Sequence, residues 1–282
     1  MNREKKKRGL RYRWFSWKYF PELVPSTEEI DVVIPIVAKD LHTLPLYFDG
    51  VRHPIKDVYI VAPAQQDILT FCKTNGLVFI DENSVFGFSP MSLNVITNDG
   101  QKRSGWIFQQ FVKLSGKIGC CRYYLCIDAD YVLIRPHIFL TEKKEMLFYL
   151  SYEKNQFYYD MIHRILPNIE ILNFSYVDHK MLFDKEQVAL LQESIKRNCR
   201  VDSWQKAILD NLDLSTISGF SEFETYGNFV QKKVLRPWFQ KRLPFSKMKD
   251  FDSLQRKFSR NRWSLTFPDY MRQNKNIMYY NE

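Results

Sequence analysis

Asp31-Val-Val-Ile-Pro-Ile-Val37 is a short β-branched run bounded by polar residues, and its unbroken apolar character marks a strand buried in a sheet. A second run, Asp57-Val-Tyr-Ile-Val-Ala62, ends at Pro63; residues 65–75 then carry helical spacing and stop before Gly76. A third run, residues 77–80, ends at Asp81. Strands separated by connections of helix length predict βαβ units and therefore an α/β fold with a mostly parallel sheet flanked by helices. Ligands of such sheets bind beyond the C-terminal ends of the strands. The positions to inspect are thus Lys39 and Asp40, Pro63 and Ala64, Asp81 and Glu82, and the acids that follow Ile127.

Residues 83–104 are polar, with Asn, Ser, Pro and Gly, and read as a mobile loop. A helix is predicted to open at Ser104-Gly105. Ile107, Phe108, Phe111, Val112 and Leu114 give it a broad apolar face, while Trp106, Gln109, Gln110 and Lys113 share another side.

The chain has 282 residues, enough to bury a full core, and no apolar run approaches the roughly 20 residues of a membrane-spanning helix. No apolar segment follows the charged N-terminus, so a secretory signal is not expected and the cytoplasm is the predicted compartment. Five cysteines without metal-ligand spacing read as reduced, mostly buried thiols. The net charge of +9 is unevenly spread. Residues 1–20 hold eight Lys/Arg against one acid, and residues 231–282 hold thirteen against four. Residues 21–230 carry the remaining twenty basic and twenty-seven acidic side chains. An acidic body between two basic ends argues against nucleic-acid binding. Aromatics interleaved with the basic residues (Trp14, Phe15 and Trp17 in the first end; Trp238, Phe258 and Trp263 in the second) suit an anionic membrane surface, at the inner face of the plasma membrane. Solvated tails and ordinary helices explain the same composition. The predicted organisation is a basic aromatic arm over 1–25, a main domain over 26–230, and a basic extension of helical character over 231–282.

In Tyr123-Tyr-Leu-Cys-Ile-Asp128-Ala-Asp130-Tyr-Val-Leu-Ile134 two carboxylates interrupt an apolar strand. Two like charges at a buried position are costly, and a divalent cation removes the penalty. Hard oxygen ligands suit Mn2+ or Mg2+, which keep open positions for diphosphate oxygens. A strand-end turn with solvated acids is the plainer account of Asp-x-Asp. His179, which follows an apolar run, is the candidate third ligand or phosphate contact.

Gly105-Trp106 with Gln109, Gln110 and Lys113, followed by Asp128-Ala-Asp130, resembles the pattern of GT-A (Rossmann-like) glycosyltransferases. The chain looks closest to a bacterial family of poorly characterised surface-polysaccharide glycosyltransferases. Val177-Asp-His-Lys-Met-Leu-Phe183 and Phe220-Ser-Glu-Phe-Glu-Thr-Tyr-Gly-Asn228 extend the likeness, which covers about residues 30–230. The resemblance implies that Pro35, Val37, Lys39 and Asp40 line a nucleotide pocket and that Asp128 and Asp130 meet the metal. It implies a nucleotide-sugar donor, of the UDP series, and a glycan or lipid-linked acceptor. Arg103, Trp106, Gln110 and Lys113 are candidates to meet the donor, Arg103 and Lys113 through diphosphate charge.

Glycosyl transfer with inversion needs a carboxylate within reach of the acceptor hydroxyl. Glu222 and Glu224 are the candidates, with Asp178 and Asp202 as outsiders. Read as an extended segment, 221–227 would point the two glutamates to opposite faces, so one alone could serve. Trp204 and Tyr226 are candidates to stack on sugar or base, or are core aromatics. Two other functions fit the same sheet. A sugar-nucleotide-forming nucleotidyltransferase would need a glycine-rich loop after the first strand, and 37–41 contains no glycine. The other is a non-catalytic nucleotide- or glycan-binding protein.

Overall fold

The computed structural model describes residues 23–42, 48, 50–151, 154–172, 175–230, 235–237, 240–242, 251–260 and 262–266. Its central element is β1 (Ile30–Pro35), every residue of which is buried. β2 (Ile55–Ala62) lies parallel to one side of it and pairs in turn with β3 (Val78–Asp81), again parallel. On the other side β1 pairs in parallel with β4 (Tyr123–Ile127), all of it buried. The sheet order is β3-β2-β1-β4-β7, and the edge strand β7 (Lys180–Asp184) runs antiparallel to β4. The expected α/β fold with a mostly parallel sheet is present, and the first three strands fall within about two residues of their expected bounds. The chain runs from β1 outward to β3 and then crosses to β4, so β1 and β4 flank the switch in strand order, where open α/β sheets carry their ligands.

The flanking helices follow from local signals. α1 (Gln66–Thr74) buries Ile68 and Cys72 against the sheet. The loop expected over 83–104 contains regular structure instead. α2 (Glu82–Phe86) starts because the Asp81 side chain accepts a hydrogen bond from the Asn83 N–H, and it stops at Gly87 with φ of 77°. A 3-10 turn (Pro90–Leu93) and a bridge between Ile96 and Lys102 complete the segment. Phe86 and Phe88 stack on each other and meet the edge of Phe108, which anchors this segment to α3 (Ser104–Lys113). α4 (Gln156–Ile165), α5 (Lys185–Cys199), α6 (Trp204–Asp210) and α7 (Glu222–Val230) complete the main body. Gly227 in α7 is where the helix backbone meets the face of the Tyr176 ring, too closely to admit a Cβ.

Beyond residue 230 the extension expected to be helical supplies one helix, α8 (Phe251–Phe258), among its described residues, and also strands. β8 (Leu235–Pro237) lies parallel to β6 (Phe148–Leu150). β9 (Gln240–Arg242) and β10 (Ser264–Thr266) join β5 (Tyr131–Leu133) in a three-stranded sheet. Of the aromatics read as membrane-seeking, Phe258 is buried and Trp263 packs edge-on to His137 beneath Arg135. Trp14, Phe15, Trp17 and Trp238 lie outside the described residues, as does all of the first arm up to residue 22. No described helix is long and apolar enough to cross a membrane. The cysteines are all free; Cys72 and Cys126 are buried, Cys121 and Cys199 half-buried, and Cys120 exposed.

Candidate metal and donor site

Asp128 is the first residue past the C-terminal end of β4, and its N–H donates to the His179 carbonyl 2.9 Å away, just before β7 begins. The Asp-Ala-Asp turn is closed by the Tyr131 N–H, which donates to the Asp128 carbonyl at 3.0 Å. His179 takes a left-handed conformation, φ 55°, uncommon for a residue with a Cβ and found where the surroundings hold it. Its Nδ1 stands 2.8 Å from Asp128 Oδ2, and its ring stacks on Tyr131 at 5.6 Å between centroids. One ligand atom each from Asp128, Asp130 and His179 falls within 4.8 Å of the others. The structure thus brings together the three residues expected to hold a metal.

The donor set fits a divalent ion. Neighbouring ligand atoms around a cation bound at about 2.1 Å stand about 3 Å apart, close to the observed Asp128–His179 separation. No other described residue donates a hydrogen bond to the Asp130 carboxylate. Burial, and then the neighbouring Asp128 and Asp40, raise its carboxyl above the usual range against the pull of His179. Asp128 behaves oppositely: burial disfavours its charge, but Lys113 and His179 outweigh burial and hold the carboxyl far below its ordinary value.

Lys113 departs from expectation. It was read as lying on the polar side of α3 and meeting diphosphate. Its side chain is instead 4% exposed, with Nζ 2.6 Å from Asp128 Oδ1 and 2.6 Å from Glu222 Oε1. Gln110, also buried, accepts the Glu222 N–H through Oε1 at 3.1 Å. The polar side of α3 therefore faces the start of α7 and locks the Asp128 turn from behind. Arg103 and Trp106 lie elsewhere: at 1.5 Å rise per residue, Arg103 is about 15 Å from Lys113 along α3. The Arg103 guanidinium covers the Trp106 ring at 4.1 Å.

Pro35 closes β1, and Val37, 42% exposed, begins the turn beyond it. The Val37 N–H donates to Asp40 Oδ2 at 2.9 Å, and Lys39 is exposed in the 3-10 turn Ala38–His42. This turn and the Asp128 turn follow neighbouring parallel strands and share one edge of the sheet. Asp202 is exposed. Trp204 packs edge-on to Phe111 and Phe86, and Tyr226 is fully buried beside Phe183, so both are core aromatics and neither is placed to stack on a ligand.

Behind His179 lies a buried ionic cluster that sequence reasoning missed. Lys180 Nζ is 2.5 Å from Asp178 Oδ2 and 2.9 Å from the Tyr131 hydroxyl, with both members of the pair fully buried. Tyr131 is in hydrogen-bond contact with Ser264 of β10. Burial drives the Asp178 carboxyl up, to about 7, and the Lys180 amine down. A lysine directly preceding the apolar Met181-Leu-Phe183 of a strand was the available signal. Asp178 is thereby committed to Lys180 and Tyr131 and is not open to an acceptor.

Glu222 and Glu224 are not in an extended segment; both occupy the first turn of α7. Glu224 is 0% exposed, its Oε1 accepting from Ser175 at 2.5 Å and Tyr159 at 3.2 Å, its Oε2 from Asn228 at 3.2 Å. This corrects its reading as a base: the carboxylate is enclosed in the core. Burial, partly offset by those donors, raises its carboxyl from 4.5 to about 7. A carboxyl raised in the folded state binds more protons folded than unfolded, so its contribution is full below about pH 4.5 and is lost as pH rises to about 7. The loss is on the order of 3 kcal/mol. In Glu224→Gln the fall in Tm between pH 5 and 8 is expected to be shallower than in the parent, with Asp178 retaining its share of the slope. Parallel Tm profiles for the two proteins would show that Glu224 titrates as an ordinary carboxyl.

No family model matches the chain, and no curated protein matches it. Solved structures similar to it include mouse xyloside xylosyltransferase 1 in its apo form, 9% identical with TM-score 0.45, covering 86% of this chain and 98% of that one. The galactosyltransferase LgtC with donor and acceptor sugar analogues is 11% identical with TM-score 0.43, covering 89% and 92%. An active-site mutant of LgtC is 12% identical with TM-score 0.42, covering 84% and 87%.

Proposed function

We propose that the chain is a metal-dependent glycosyltransferase that moves a hexose from a nucleotide diphosphate sugar, UDP-linked, to a hydroxyl of a glycan or lipid-linked glycan in surface polysaccharide synthesis. One observation carries the reading: Asp128, Asp130 and His179 converge at the switch point of a mostly parallel sheet. A bound Mn2+ or Mg2+ would supply a Lewis acid for the departing diphosphate.

The chain's own residues divide the remaining work. Lys113 holds Asp128 ionised and fixed, so one carboxylate is ready before any ligand arrives. The left-handed backbone of His179 and its stacking on Tyr131 aim the imidazole at the same point. Pro35, Val37, Lys39 and Asp40 form the neighbouring wall for the nucleotide. Transfer proceeds with inversion in this reading. Of the two glutamates Glu222 alone shares a network with Asp128, but its side chain is 5% exposed and held by Lys113. It serves as base only after leaving that pair, and in the arrangement described it is as closed to an acceptor as Glu224 and Asp178. The basic ends support a location at the cytoplasmic membrane face in this reading.

A second reading, a non-catalytic nucleotide- or glycan-binding protein, draws on Lys113, an internal cation that keeps Asp128 charged without metal. Calorimetric titration with UDP, with and without Mn2+, separates the two, followed by assay of UDP release from UDP-sugars. The expected result is binding that requires Mn2+ and turnover of at least one UDP-sugar. UDP binding indifferent to Mn2+, with no turnover, would support the second reading; no binding at all would remove UDP as the donor.

A further inference from the structure

The opposite edge of the sheet carries a second cluster. Asp31, the second residue of β1, is fully buried and lies in register with Tyr124 of the neighbouring strand. Cys120 and Cys121 lie just ahead of that strand, separated from it by Arg122. A carboxylate oxygen of Asp31 and the two sulfurs lie within 4.8 Å of one another. Asp31 Oδ2 accepts the Cys121 N–H at 2.8 Å, while Oδ1 is buried and has no hydrogen-bond partner. The chain wraps closely around this carboxylate. Gly119, with φ of 73°, touches it so tightly that a Cβ there would collide with the oxygen. The outer sulfur, on exposed Cys120, is met by the Lys56 ammonium.

A buried carboxylate oxygen without a donor is costly, and nothing in the reading of the Asp128 site employs it. We propose that Asp31, Cys120 and Cys121 form a cation site for a thiophilic divalent ion of the Zn2+ class, which ties the start of β1 to the start of β4. Two thiolates and one carboxylate match the ligand preferences of zinc, with water completing a tetrahedron. Tetrahedral ligands at zinc stand roughly 3.3–3.8 Å apart, so the observed cluster closes around the ion by movements of about 1 Å. Binding releases the two thiol protons to solvent. Seven residues of extended chain separate Cys121 from Asp128, about 20 Å, so this site and the Asp128 site load independently.

Cobalt titration of the reduced full-length chain tests the site, because a thiolate-to-cobalt charge-transfer band in the near ultraviolet reports sulfur ligation and the Asp128 cluster contains no sulfur. The expected result is a band that saturates at one equivalent, is displaced by Zn2+, and is absent from Cys120→Ser/Cys121→Ser. Zinc in excess is expected to raise the parent's Tm by roughly 5 °C by this site, a rise reduced in the variant. Cys120→Ser alone, at an exposed position, guards against misfolding of the double variant and is expected to lose about half of the band. No band in the parent, or an unchanged band in both variants, would overturn the proposal.

Discussion

Lys113→Met is expected to lower the unfolding free energy by about 3–5 kcal/mol, read from the midpoint and slope of urea denaturation. Lys113 Nζ bridges Asp128 and Glu222 at 2.6 Å each, and both the lysine and Glu222 have side chains almost wholly out of solvent. Removing the cation leaves two carboxylates facing one another across the space it filled, and His179 reaches only one of them. The pH dependence supplies a second check. In the parent, Asp128 is held far below its ordinary value, so its contribution is full above about pH 4 and is lost only as strong acid protonates it. Without Lys113 burial dominates, and the variant should gain stability relative to the parent as pH falls. Adding Glu222→Gln should restore part of the loss, since one uncompensated charge is gone. A loss below about 1 kcal/mol would mean that water screens the site and that the bridge is an ordinary surface pair.

The contrast between Lys113 and the strand pattern shows where sequence reasoning stops. β1, β2 and β3 were legible because each is a short apolar run bounded by polar residues, a local signal that survives without knowledge of the partner, although only β1 is buried along its whole length. Asp128 and Asp130 were legible for the same reason, as charges interrupting such a run. The partner of Lys113 was not, because Glu222 lies 109 residues further along the chain and no periodicity links them. The segment 83–104 was misread from its polar composition, although Asp81 and Gly87 were conventional helix boundaries around α2. Glu222 and Glu224 were read through the alternation of 221–227, a period-2 pattern that the first turn of α7 overrides because Phe223 and Tyr226, three residues apart, both pack on Phe183. Tyr131 and Ser264, which join the Asp128 turn to the C-terminal strands, depend on a contact spanning 133 residues.

Asp130→Asn is expected to separate binding from stability. The parent carboxylate receives no hydrogen bond from another described residue, and burial, Asp128 and Asp40 all work against its charge. Asparagine keeps the volume and removes the charge, so at pH 8 the Tm should be unchanged or slightly raised. Under the proposed function metal affinity moves oppositely, because the carboxylate proposed as an oxygen ligand is replaced by a neutral amide beside a half-buried imidazole. Replacing residues that only support a ligand already weakens metal binding by about 10–100-fold. Loss of the ligand itself should exceed that range and bring UDP affinity in Mn2+ down to its metal-free level. Calorimetry with UDP and Mn2+, run beside thermal melts of the same samples, reads both quantities. Undiminished metal-dependent UDP binding would remove Asp130 from the site. A fall in Tm of several degrees, accompanied by loss of binding, would assign the aspartate to closing the turn between β4 and β5, a role for which the geometry supplies no hydrogen bond.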